Sequence, residues 1–98
     1  NYEDSISRSY YAILDAATAC LIKKDIIPQS HAGAIKLFSL HYIKSGLVDR
    51  KFQRYFAKIE KARIEADYTH LRKFDKEEAE EIFSEAKGFV AMAEKIVL

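Results

Sequence analysis

The sequence predicts an all-α fold: an up-and-down antiparallel bundle of four helices forming a single domain over residues 1–98. Three observations lead there. Apolar residues recur at helical spacing in four stretches. Three Gly and one Pro are too few for the turns that a hairpin architecture consumes. The connections between the stretches are short, which favours antiparallel neighbours. A chain of 98 residues holds one core, with roughly 60–65% of its unfolded surface removed from water.

The first helix is expected over residues 4–24. Ile6, Tyr10, Ile13, Ala17 and Cys20 step by four and three, and Leu14 and Leu21 widen the stripe. Residues 23–29 break it, because Pro28 disfavours helix at Ile27. Ser30 is a good N-cap for a second helix over 31–42, whose inner face is Ala34, Ile35, Phe38 and Tyr42. Gly46 suits the left-handed end of that element. The third helix, over 49–68, carries Phe52, Phe56, Ile59 and Ala66, with Tyr55 and Ala62 beside them. A connector over 69–74 follows. Asp75 then caps a fourth helix running to Val97, with Glu77 and Glu78 at its positive end. Ala79, Ile82, Phe83, Ala86, Phe89, Val90, Ala93 and Ile96 form its stripe.

Composition excludes several classes. Apolar residues at 49% are too many for a disordered chain. One cysteine, Cys20, makes no internal disulfide and sits on an apolar stripe, where a thiol is ordinarily a small buried hydrophobe. No apolar run reaches the roughly 18 residues that span a bilayer, and a cytoplasmic location is the expectation. His31, His41, His70 and Cys20 show no close-paired ligand spacing, so neither a metal nor a cofactor is expected. The Gly residues at 33, 46 and 88 are too scattered for a phosphate-cradling loop.

Net charge is +1, but it is unevenly spread. Residues 50–73 hold eight bases against three acids, and residues 74–98 hold seven acids against three bases. A basic stretch beside an acidic one is either a self-complementary folded surface or a patch facing phosphate.

One constellation carries chemistry. Continued past Ile59, the stripe of the third helix falls at 63, 66 and 70, so Arg63 and His70 are in register with apolar positions. If the helix persists, they share a face two turns apart. An arginine on an inward stripe needs a partner or a wet cleft. Either it pairs with Glu65, Asp67 or an acid of the fourth helix, or it meets a phosphate. Guanidinium binds phosphate bidentately, and imidazole moves protons near neutral pH. Such a pair suffices for metal-independent RNA cleavage, with Asp67 orienting Arg63 and with Lys61 and Arg72 adding attraction for the phosphate backbone. The adjacent Tyr10 and Tyr11 belong either to core and interface or to a surface on which bases stack.

Ser7-Arg8-Ser9-Tyr10-Tyr11-Ala12-Ile13, Ser30-His31-Ala32-Gly33, Arg63 with Ala66-Asp67-Tyr68, Glu78-Ala79, and Ala86-Lys87-Gly88-Phe89-Val90 together resemble the HEPN domain (higher eukaryotes and prokaryotes nucleotide-binding), in its small stand-alone prokaryotic branch. The resemblance spans essentially the whole chain. It implies a helical bundle, commonly a homodimer, with the family's first helix lying ahead of Asn1. It implies an Arg-x(4–6)-His motif acting in RNA cleavage, matched here by Arg63 and His70 with six residues between them. It further implies a toxin whose antitoxin partner is a minimal nucleotidyltransferase. In other members the domain binds nucleotides or dimerises without cutting, which is the alternative carried forward.

Overall fold

The structure, a computed structural model, describes residues 1–68 and 72–98. Four α-helices follow one another: α1, Tyr2–Lys23; α2, His31–Phe38; α3, Lys51–Asp67; and α4, Lys76–Val97. A π-helical turn, Ser39–Ile43, extends α2. The helical bundle is as the sequence predicts.

Polar side chains set three of the helix starts. Asn1 Oδ1 accepts from the Asp4 N–H at 2.8 Å, Ser30 Oγ from the Gly33 N–H at 2.9 Å, and Asp75 Oδ1 from the Glu78 N–H at 2.8 Å. The end of α1 is a Schellman motif. The Ile26 N–H reaches the Leu21 carbonyl, the Asp25 N–H reaches that of Ile22, and Asp25 takes φ 62°. Pro28 therefore lies beyond an end already made by the backbone. Gly46, at φ 84°, makes the turn after the π segment, where an L side chain would be strained.

Helix direction follows from which residues meet. Phe52 meets Phe89 at one end of α3, and Lys58 pairs with Glu81 and Glu85 further along, so α3 and α4 are antiparallel. The connector after α1 doubles back along it. The rings of Tyr11 and His31 meet at 6.1 Å, and the Tyr42 hydroxyl donates to the Cys20 carbonyl, so α2 and its π extension run in the same sense as α1. The seven residues 24–30 are long enough, when extended, to make that return.

The core centres on α1. Ile6, Ile13, Ala17, Cys20 and Leu21 are wholly buried there. Phe89 of α4 is also wholly buried, and three rings close on it: Phe38 at 5.3 Å, Phe52 at 5.9 Å and Phe56 at 5.5 Å. Along the other side of α1, an apolar groove of about 610 Å³ opens between it and α4, lined by Ser9, Ala12, Phe83, Ala86 and Val90 among others.

Two stability changes are expected. Phe89→Ala removes the ring that joins α2, α3 and α4, and should cost about 3–5 kcal/mol in urea denaturation followed by circular dichroism. Asp25→Gly relieves the left-handed backbone at the end of α1 and should raise stability by about 0.5 kcal/mol in the same assay.

Candidate functional site

Arg63 continues the inner stripe of α3, as its register predicts. Its side chain is 26% exposed, half-buried between the wholly buried Ile59 and the solvent. Two groups hold the guanidinium. Asp67, one turn later on α3, accepts from Nη1 at 2.9 Å. Tyr10 of α1, only 2% exposed, lies beneath it with its ring centroid 4.7 Å from Cζ. The Nε atom is buried and has no hydrogen-bond partner among the described residues.

That setting fixes the protonation states. Desolvation works against the Arg63 charge, but Asp67 and Tyr10 outweigh it, so the pKa is raised and the cation is secure. Burial raises the pKa of the Tyr10 hydroxyl, the Glu60 carboxylate raises it further, and Arg63 opposes them; the phenol stays neutral. The site thus offers a fixed positive charge resting on a neutral aromatic ring, with one carboxylate bracing it. Such a group can take an anion on the part of its guanidinium that reaches solvent.

The other predicted residues separate. Asp67 stands with Arg63. Lys61 and Arg72 line a different cleft, of about 230 Å³, on the side of α3 that faces α4. Arg72 is paired there with Glu65, at 3.1 Å, and with Glu78, and its guanidinium lies 4.1 Å from the Phe74 ring centroid. Lys58 is paired with Glu81 and Glu85. Acids of α4 thus answer two bases of the basic stretch, Lys58 and Arg72. His70 lies outside the described residues. α3 ends at Asp67, where Tyr68 leaves helical geometry at φ −115° and ψ 62°, so the shared helical face with Arg63 extends only to Asp67.

Two contributors escape a reading of α3 alone. Tyr10 reads as ordinary core, yet its ring is the platform for Arg63. Tyr11 and His31 come together beside it; both lie in stretches that carry the family resemblance, but nothing in the sequence brings those two stretches into contact. Among the described residues, no three His, Cys, Asp or Glu side chains gather as a metal site, and no helix is long and apolar enough to cross a membrane.

Cys20 is remote from this cluster and wholly buried. Desolvation pushes its thiol from 9.0 up to about 11. The unfolded thiol ionises first as pH rises, so the stabilising contribution is complete below pH 9 and is lost as pH climbs towards 11. Cys20→Ala should flatten that alkaline decline in a pH series of thermal melts. Native protein at neutral pH should react with a thiol reagent only as fast as it unfolds.

Comparison with known proteins gives a consistent picture. The family model of the HEPN domain matches residues 1–96. A protein of Methanocaldococcus jannaschii named as a candidate toxin is 40% identical over 94 residues, which are 96% of this chain and 69% of the relative. A second candidate toxin of the same organism is 30% identical over 97 residues, covering 99% of the chain and 66% of the relative. A UPF0332 protein of Pyrococcus horikoshii is 46% identical over 52 residues, 53% of the chain and 37% of that protein. The matched region is thus between about a third and two thirds of these relatives' length. No solved structure matches the chain.

Proposed function

The chain belongs to the HEPN domain family, and from that footing we propose that it cleaves RNA without a metal, as the toxin of a toxin–antitoxin pair. Arg63 clamps phosphate and His70 transfers the proton. The observation that supports this most is the state of Arg63: a secured cation, braced by Asp67 and resting on Tyr10, with a buried Nε that no described residue occupies. Holding a guanidinium half-buried is costly, and the arrangement makes sense if an anion completes it.

In the proposed reaction a ribose 2′-hydroxyl attacks the neighbouring phosphorus as its proton passes to a base. The bond from phosphorus to the 5′-oxygen breaks, that oxygen takes up a proton, and a 2′,3′-cyclic phosphate is left. Arg63 stabilises the charge that builds on the phosphoryl oxygens. His70 serves the proton transfers. Asp67 is a positioning residue, since it acts through Arg63. Lys61 supplies attraction for the backbone. Arg72 does so only when its pairs with Glu65 and Glu78 open.

We also propose a cytoplasmic homodimer in which two such sites meet, partnered by a minimal nucleotidyltransferase as antitoxin. The names of the two M. jannaschii relatives support the toxin assignment. In the groove between α1 and α4 we would seat the helix that the family carries ahead of this bundle. The alternative of a non-catalytic nucleotide-binding or dimerisation module is favoured by one observation: Asp67 already holds one edge of the Arg63 guanidinium.

The two readings part in one experiment. Single-stranded RNA is incubated with the protein and a chelator, and products are resolved by gel. Cleavage should persist with chelator present and fall roughly 100-fold or more in Arg63→Ala and in His70→Ala. Unchanged cleavage in both variants, or none in the native protein, overturns the ribonuclease reading. A melting temperature raised by nucleotide with no product formed would establish the binding module instead.

A further inference from the structure

Successive residues on a helix point about 100° apart, so the pair at 10 and 11 cannot share an environment. Tyr10 enters the core at 2% exposure, and Tyr11 remains 46% exposed. Its neighbours are particular ones. The Tyr10 ring lies 5.1 Å away at 77°, and the His31 ring lies 6.1 Å away at 74°. Both rings stand nearly perpendicular to that of Tyr11, and close to half of its surface is left to solvent.

The helices around this ring form two walls. Ile35 of α2 and Glu60 of α3 line one pocket. One turn before Ile35 is His31, the first residue of α2, and one turn after Glu60 are Arg63 and Ile64. Since α2 and α3 run in opposite senses here, and Ile43 and Gln53 line the same pocket, His31 comes towards the level of Arg63. Tyr11 therefore has the His31 imidazole as one neighbour and the Tyr10 ring as another, and Tyr10 also carries the Arg63 guanidinium.

We propose that Tyr11 seats an unpaired nucleobase of single-stranded RNA, stacked on its exposed face. His31 contacts the edge of that base, and the adjoining phosphate reaches Arg63. This rests on the reading that Arg63 binds RNA phosphate, and it assigns what that reading leaves open: where the base goes and which residues recognise it. An exposed aromatic ring beside one that carries a fixed cation is the kind of surface that single-stranded nucleic acid uses. Stacking on tyrosine tolerates any base, so Tyr11 gives affinity for single strands while His31 is the residue able to discriminate.

The test is binding, read without any dependence on cleavage. A fluorescein-labelled 2′-O-methyl oligouridylate, which has no attacking hydroxyl, is titrated with protein and followed by fluorescence anisotropy. Tyr11→Ala should weaken binding roughly 5- to 100-fold, as loss of one stacked base does. Tyr11→Leu, which keeps a bulky apolar group beside Tyr10, should lose binding to a similar degree while melting close to the native protein. Tyr11→Phe should bind within about 2-fold of it, because the ring face is what matters. His31→Ala should reduce the preference among oligouridylate, oligocytidylate and oligoadenylate.

If Arg63→Gln weakens binding but Tyr11→Leu and Tyr11→Ala bind like the native protein, the base seat is overturned and phosphate binding at Arg63 stands. If Tyr11→Phe falls as far as Tyr11→Leu, stacking is overturned. If the native protein binds no oligonucleotide at all, the RNA reading fails and the seat fails with it.

Discussion

The contact of Phe89 with Phe38, Phe52 and Phe56 is the constraint on which the rest of this molecule hangs. It ties α2, α3 and α4 at one wholly buried ring. Phe56 then passes the alignment on to α1 through Tyr10, whose ring it meets at 6.4 Å. Tyr10 in turn carries Arg63. The chain from core to charge is therefore three aromatic contacts long, with no flexible side chain in it until the guanidinium itself. A small domain has few ways to hold a cation half-buried, and this one does so by resting it on the edge of its own core.

Much of this was legible in the chain. Side-chain caps at Ser30 and Asp75 are local chemistry, written within four residues, and both formed as expected. The stripes of α1, α3 and α4 are long enough for the helical period to declare itself. Where the period falters, so did the reading. The second helix looks continuous through Tyr42, but it is α-helical only to Phe38 and then widens into a π turn, closed by the Lys44 N–H on the Ser39 carbonyl at 2.8 Å. An extra residue in a turn leaves no mark on a pattern this short. The sense of α2 was also hidden. Short connections suggest strict alternation, whereas the seven residues 24–30, turning first at Lys24 and Asp25, carry the chain back along α1.

The site was half visible, and for the same kind of reason. Arg63 announces itself because a charge on an apolar stripe violates the local pattern, and Asp67 follows because residues four apart on a helix face one another. Tyr10 does not announce itself, since a tyrosine on a core stripe breaks no rule. Lys61 and Arg72 were grouped with Arg63 by their place in a basic stretch, but charge runs do not respect helix faces. Two residues along a helix turn a side chain by about 200°, and that is enough to put Lys61 with the acids of α4 rather than with Arg63. The near-zero net charge therefore hides a basic third quarter of the chain beside an acidic fourth helix.

The Arg63 guanidinium is the group proposed to receive phosphate. The most direct measurement is the ¹H–¹⁵N resonance of Arg63 Nε, assigned by its loss in Arg63→Lys, during titration with a single-stranded oligonucleotide. The account predicts a saturable shift of that resonance, larger than those of the paired Arg72 and of exposed arginines such as Arg8 and Arg54. An Arg63 resonance that stays in place while Arg72 or the exposed arginines move would contradict it.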